Sequence, residues 1–168
     1  MASSIGLLYV GAVLLLNGIS MIKSYSSKST AIMNFFTGGV YVVVNCMTLA
    51  YAIFHNGTTQ DYFNIATSML FGFTYLFVGL TNWYNLETQT QSWFCFFVGC
   101  NAAVCTYLSF NSGDIKYGVL WGLWGLLWLL YWYTGIFKTK ITAKHVGYIT
   151  VAYAIGTCWI PGMLELIP

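Results

Sequence analysis

Four tryptophans, Trp121, Trp124, Trp128 and Trp132, stand at offsets 0, 3, 7 and 11 within the uncharged stretch Gly118 to Tyr133. At about 100° per residue in a helix they fall at roughly 0°, 300°, 340° and 20°, one narrow stripe. Indoles offer flat apolar walls with one N–H donor each. Two readings follow: an aromatic packing seam, or the wall of a passage for a small, flat, polar molecule. Phe71 and Tyr75, four residues apart, share one helix face and provide a facing wall, while Leu7 and Leu14, seven apart, form another with Asn17 one turn further on. An interfacial aromatic belt explains the stripe badly, because four Trp over three turns run through the mid-plane instead of collecting at the ends.

Catalytic chemistry has little to work with. His55 and His145 are each isolated, with no adjacent nucleophile and no metal-ligand spacing, and Asp61 and Asp114 read as solvent-facing. No metal or cofactor is expected, and the protein is not expected to be an enzyme. The five cysteines, Cys46, Cys95, Cys100, Cys105 and Cys158, lack a zinc or disulfide pattern and read as small apolar packing residues. Asn17, Asn34, Asn45 and Asn101 sit in apolar surroundings, where an unpaired amide costs about 1–3 kcal/mol. Each therefore needs an interhelical partner or, with Thr74, Tyr75 and Thr81, contributes to an uncharged polar lining. Asn56-Gly57-Thr58 matches a glycosylation triplet of the kind that arises often by chance.

The elements that must position these residues are membrane helices. The chain is 58% hydrophobic and 6% charged, against about 25% charged in soluble proteins. Its ten Lys, Asp and Glu residues, among them Lys116 and Glu165, punctuate apolar runs and never interrupt one midway. With about 20 apolar residues per crossing, six spans follow: 5–23, 30–54, 63–83, 92–110, 117–137 and 147–166. Connections are short, so residues 1–168 form one membrane domain of three antiparallel hairpins around a central pore. Lys23, Lys28, Lys138, Lys140 and Lys144 lie on one side and only Lys116 on the other. That asymmetry puts both termini outside, and the net charge of +2 reports topology and lipid contact, with no nucleic acid implied. The uncharged start is a poor signal peptide. Gly118 and Gly122 have the small-residue spacing that favours close helix contact, within the monomer in preference to a dimer.

No carboxylate, His or Lys lies midway through a span, so nothing is available to couple transport to an ion or proton, and no carboxylate ring or carbonyl filter marks a cation channel. Passive movement of a neutral solute remains. Urea and short aliphatic amides, planar and rich in donors and acceptors, match an apolar bore with sparse polar handles.

Several blocks, in order along almost the whole chain, resemble the AmiS/UreI family of urea channels and amide transporters. Leu7-Leu8-Tyr9-Val10-Gly11 with Asn17-Gly18 is similar to its first helix, and Lys28-Ser29-Thr30-Ala31 with Met33-Asn34-Phe35-Phe36 to its second. Leu70 to Leu76 resembles the third, Trp121 to Trp128 the fifth, and Trp159-Ile160-Pro161 the sixth. The resemblance implies a homohexamer in the bacterial inner membrane, each protomer with its own channel. It implies that Leu7, Leu14, Phe71, Tyr75, Trp121, Trp124, Leu127 and Trp128 line the constriction and that Asn17 is a polar position in the same lumen, and it leaves Trp132 to packing. Passive urea uptake would then feed a cytoplasmic urease, in the service of acid resistance.

Two departures stand out. Acid-gated members carry long outer loops with several His, whereas here the outer turns are short and His55 is the one candidate pH sensor. Where those members have a Glu in the sixth helix, this chain aligns Tyr153, also expected in the lumen. A short-chain amide channel serving an amidase is therefore a second expectation. A third, from another class, is a non-transporting protein that docks an enzyme through Lys138, Lys140 and Lys144.

Overall fold

The computed structural model describes residues 2–167. Six helical spans are present, each long and apolar enough to cross a membrane. They are α1 (Ala2–Lys23), α2 (Ser27–Phe54), α3 (Thr59–Tyr84), α4 (Gln89–Asn111), α5 (Ile115–Ile136), and a sixth span in three parts. That last span is α6 (Ala143–Tyr153), a π-helical stretch over Ala154–Trp159, and α7 (Ile160–Leu166).

The helix ends lie where polar residues can satisfy backbone groups that lipid would leave orphaned. Thr58 and Asp61 form a reciprocal cap at the start of α3, Asp114 accepts the Tyr117 N–H (3.1 Å) at the start of α5, and Thr142 pairs with His145 at the start of α6. Residues that punctuate the sequence thus cap helices. In the turn before α4, the Thr90 hydroxyl (2.6 Å) and the Gln89 N–H (2.7 Å) hold the Glu87 carboxyl below the usual carboxylate range. Its ionised form, and the help it gives this helix start, is present at neutral pH and lost as pH falls through that lowered value.

The closest packing joins α2 to α3, α4 to α5, and α1 to the sixth span. Two of these antiparallel pairs are consecutive in sequence, and the third closes the bundle by bringing its first and last spans together. Glycines permit that closure. A Cβ on Gly18 would lie 2.8 Å from the Gly147 carbonyl oxygen, and one on Gly147 would lie 2.8 Å from the Gly18 carbonyl oxygen. Such direct backbone contact is how membrane helices gain packing that lipid does not supply. Near the chain ends, Glu165 accepts from the Ser4 hydroxyl (2.8 Å), Lys116 Nζ (2.6 Å) and the Tyr117 hydroxyl (3.0 Å), tying α1, α5 and α7 together.

Gly118 lies against the Phe110 ring and Gly122 against Thr106, so that small-residue pair serves contact between α4 and α5 of the same chain. The cysteines divide. Cys95, Cys105 and Cys158 are buried, while Cys46 and Cys100 are exposed on the outer surface of the bundle.

The sixth span departs from the single regular helix expected over 147–166. Pro161 has no N–H for the carbonyl of Thr157, and its ring would collide with that carbonyl in a regular α-helix. Widening to i→i+5 spacing absorbs the misfit, with the Ile160 N–H bonded to the Ile155 carbonyl.

Candidate functional site: two chambers and an aromatic constriction

Two open chambers reach the aromatic face of the interior. One, of about 340 Å³, lies toward the lysine-bearing turns and is bordered by Leu14, Asn17, Tyr75, Leu127, Trp128 and Tyr131, among others. The second, of about 820 Å³, lies toward the chain ends and is bordered by Leu7, Tyr41, Asp114, Tyr117 and Trp121, among others. Phe71 and Trp124 border both. Those two rings therefore stand between the chambers, where a solute moving from one to the other would meet them.

Phe71 is the hub. Its ring centroid lies 5.6 Å from Trp121, 5.2 Å from Trp124, 4.9 Å from Trp128 and 5.6 Å from Tyr41. The Trp124 contact is edge-to-face at 89° and the Tyr41 contact is stacked at 22°. Ring pairs of this geometry contribute about 0.5–1.5 kcal/mol each beyond their buried area, so the constriction has well-defined ring orientations. Gly6 makes room for the Tyr41 ring, since a Cβ there would come within 2.6 Å of it.

Polar groups around the bore are largely held by protein partners. Asn17 and Asn34 form a reciprocal amide pair: Asn17 Nδ2 donates to Asn34 Oδ1 (3.1 Å), and Asn34 Nδ2 donates to Asn17 Oδ1 (2.8 Å). Asn34 is fully buried and also donates to the Thr30 carbonyl (2.9 Å), so it fixes Asn17 at the chamber wall. Asn45 donates to the Tyr41 carbonyl (2.8 Å) and the Ser68 hydroxyl (3.0 Å), whereas Asn101 bonds only within its own helix, to the Phe97 carbonyl (2.8 Å). Trp124 Nε1 donates to the Thr157 hydroxyl (3.1 Å). That donor, which the sequence alone would offer to a passing solute, is engaged by the protein.

The structure sets Tyr153 and His55 apart from both chambers and packs Trp132 against α4, the packing role expected for it. Tyr153 is absent from the borders of both chambers; it packs half-buried against the core, and its carbonyl accepts from the Thr157 hydroxyl (2.7 Å). His55 stacks on Tyr51 (4.0 Å between centroids) at the exposed end of α2 and borders neither chamber. Trp132 packs against Phe96 (4.7 Å) and Trp93 (5.9 Å) of α4, away from the constriction. The α5 face toward the chambers includes Leu127 and Tyr131, which shifts its centre to about 300° on the scale used above and leaves Trp132 about 80° off it.

Sequence reasoning passed over Tyr131, Tyr41 and Thr157. Tyr131 sits seven residues after Trp124 and three after Trp128, a spacing that could have found it. Tyr41 lies in a tract with no distinguishing spacing. Thr157 is marked by Pro161 four residues later, the cause of the local widening.

Six membrane helices around two chambers that meet at an uncharged ring constriction define a membrane transport protein of the channel type. The chain belongs to the AmiS/UreI family of transporters, whose family model matches residues 2–168. It is 35% identical over 164 residues to the transporter protein AmiS2 of Rhodococcus erythropolis, covering 97% of this chain and 78% of that one. It is 32% identical over 187 aligned positions to an acid-activated urea channel of Helicobacter pylori, covering 96% and 95%. The crystal structure of the urea channel from Helicobacter pylori superposes with a TM-score of 0.91 at 34% identity, over 99% of this chain and 98% of that one.

Proposed function

We propose that the protein is a passive urea channel of the bacterial inner membrane. The observation that carries this is the pair of chambers sharing Phe71 and Trp124 as their common border, and the similarity to the Helicobacter pylori channel supports it. Leu7 and Trp121 guide the solute on one side of the constriction; Leu14, Tyr75, Leu127 and Trp128 do so on the other, with Asn17 as a polar handle. A planar amide fits between flat rings and gives up little hydration in chambers that carry some polar groups. Both termini lie outside, the lysine-bearing turns face the cytoplasm, and the protomers assemble as a homohexamer that supplies a cytoplasmic urease.

In proteoliposomes exposed to a urea gradient, stopped-flow light scattering should show urea permeability well above that of protein-free vesicles and indifferent to a protonophore. Permeability equal to the protein-free control would overturn the proposal. Acetamide, measured in the same vesicles, tests the amide-channel reading, which gains if acetamide outpaces urea.

Urea flux should also change little between about pH 5 and pH 7.5, because no group of the ring constriction titrates in the His range. His55→Ala should leave the profile unaltered, consistent with its place outside both chambers. A steep acid activation that disappears in this variant would show that His55 gates flux.

A further inference from the structure

The sixth span presents the Thr157 hydroxyl to Trp124 of the constriction, and the same oxygen lies 3.4 Å from Cys158 Sγ, whose thiol proton it can also accept. Thr157 donates its single hydroxyl proton to the Tyr153 carbonyl (2.7 Å), one turn earlier in its own span. Its oxygen is thereby left as a pure acceptor, and Trp124 Nε1 donates to it at 3.1 Å in a buried contact. Thr157 lies within the π-helical stretch Ala154–Trp159, which Pro161 enforces. Trp124 lies on α5, which has few contacts with α6.

This bond is a directional anchor on a ring that borders both chambers. An indole held only by apolar neighbours can rock about its side-chain torsions, whereas one tied through Nε1 at its far edge keeps one orientation. The same ring meets Phe71 edge-to-face at 5.2 Å, so its orientation sets the gap at the narrowest point. We infer that Thr157 is a positioning residue: the π-helical stretch aims its hydroxyl at Trp124 and thereby fixes one jaw of the constriction, which sets discrimination among small amides. The inference rests on the channel reading above, and it assigns the unusual geometry of the sixth span a role in selectivity.

The test is a double-mutant cycle in proteoliposomes, reading the ratio of urea to N,N′-dimethylurea permeability. Thr157→Val keeps the side-chain shape and removes the acceptor; the ratio should fall by about fivefold, the scale of one hydrogen bond. Thr157→Ser, which retains the oxygen, should restore it. Trp124→Phe lacks the N–H donor, so adding Thr157→Val to it should produce no further change, since the two act as one unit.

An unchanged ratio in Thr157→Val would overturn the inference. So would effects of the two substitutions that multiply independently, which would mean that Thr157 does not act through Trp124. Should Val at 157 prevent assembly, Thr157→Ala takes its place in the same cycle. Wild-type vesicles without urea or acetamide flux would instead refute the channel reading, so the two failures are distinguishable.

Discussion

Phe71→Ala is expected to convert a selective passage into a permissive one. The ring touches Trp121, Trp124, Trp128 and Tyr41 and is one of the two residues shared by the chambers. Removing it joins the chambers directly. N,N′-dimethylurea permeability should rise relative to urea by about tenfold or more, a change of about 1.4 kcal/mol in relative barrier height. Full burial of a Phe in a packed core makes its replacement by Ala cost about 3–5 kcal/mol. Here the ring borders open space on two sides, so the cost should fall toward the lower end and the bundle should still fold. Thermal melting in detergent checks the stability, and paired stopped-flow measurements check the selectivity. An unaltered permeability ratio in a folded variant would place the barrier elsewhere.

The second large effect is structural. Gly147→Leu should abolish the folded bundle, because Gly18 and Gly147 meet backbone to backbone and any side chain at 147 must displace the Gly18 carbonyl, Ile22 and Met21 together. Overpacking ordinarily costs about 1–3 kcal/mol where side chains can yield; at this crossing the obstruction includes backbone, so α1 and α6 must part. Gly39→Ala is the matched control, since a Cβ there meets nothing within 4 Å. Size-exclusion chromatography in mild detergent should show aggregation or loss of the first variant and wild-type elution of the second. A monodisperse Gly147→Leu protein with wild-type melting would mean that close approach of these helices is not what closes the bundle.

The spans were legible in the sequence because lipid imposes a simple rule: charged residues cannot lie midway through a crossing, so their positions mark the ends. Asp61 and Asp114 did so, and the structure uses both in helix caps. The aromatic face was legible through helical periodicity, which placed Phe71 with Tyr75 and Trp121 with Trp124 and Trp128. Periodicity gives a direction about the helix axis and no more. By itself it keeps Trp132 on the same stripe; the resemblance, which ends at Trp128, is what left Trp132 to packing, and α4 is what it packs against.

Tyr153 illustrates a different limit. A position inferred by alignment assumes a regular helix, and the π-helical stretch that begins one residue later alters how the whole segment faces the bore. Thr157 was passed over for the same reason: its importance comes from a contact 33 residues distant in sequence, between elements that otherwise barely touch.

The pairing of the first span with the last also governs when a permeable path can exist. The α2–α3 and α4–α5 hairpins have local contacts and can form as soon as each is made, but the wall contributed by Leu7 and Leu14 is held in place mainly by the sixth span. Contacts so distant in sequence are the slowest to form. During synthesis, then, the membrane holds a set of hairpins with no enclosed route through them until the sixth span arrives. Protein that stalls earlier would be defective without being leaky, a safeguard for a cell whose membrane must remain tight while channels are being built.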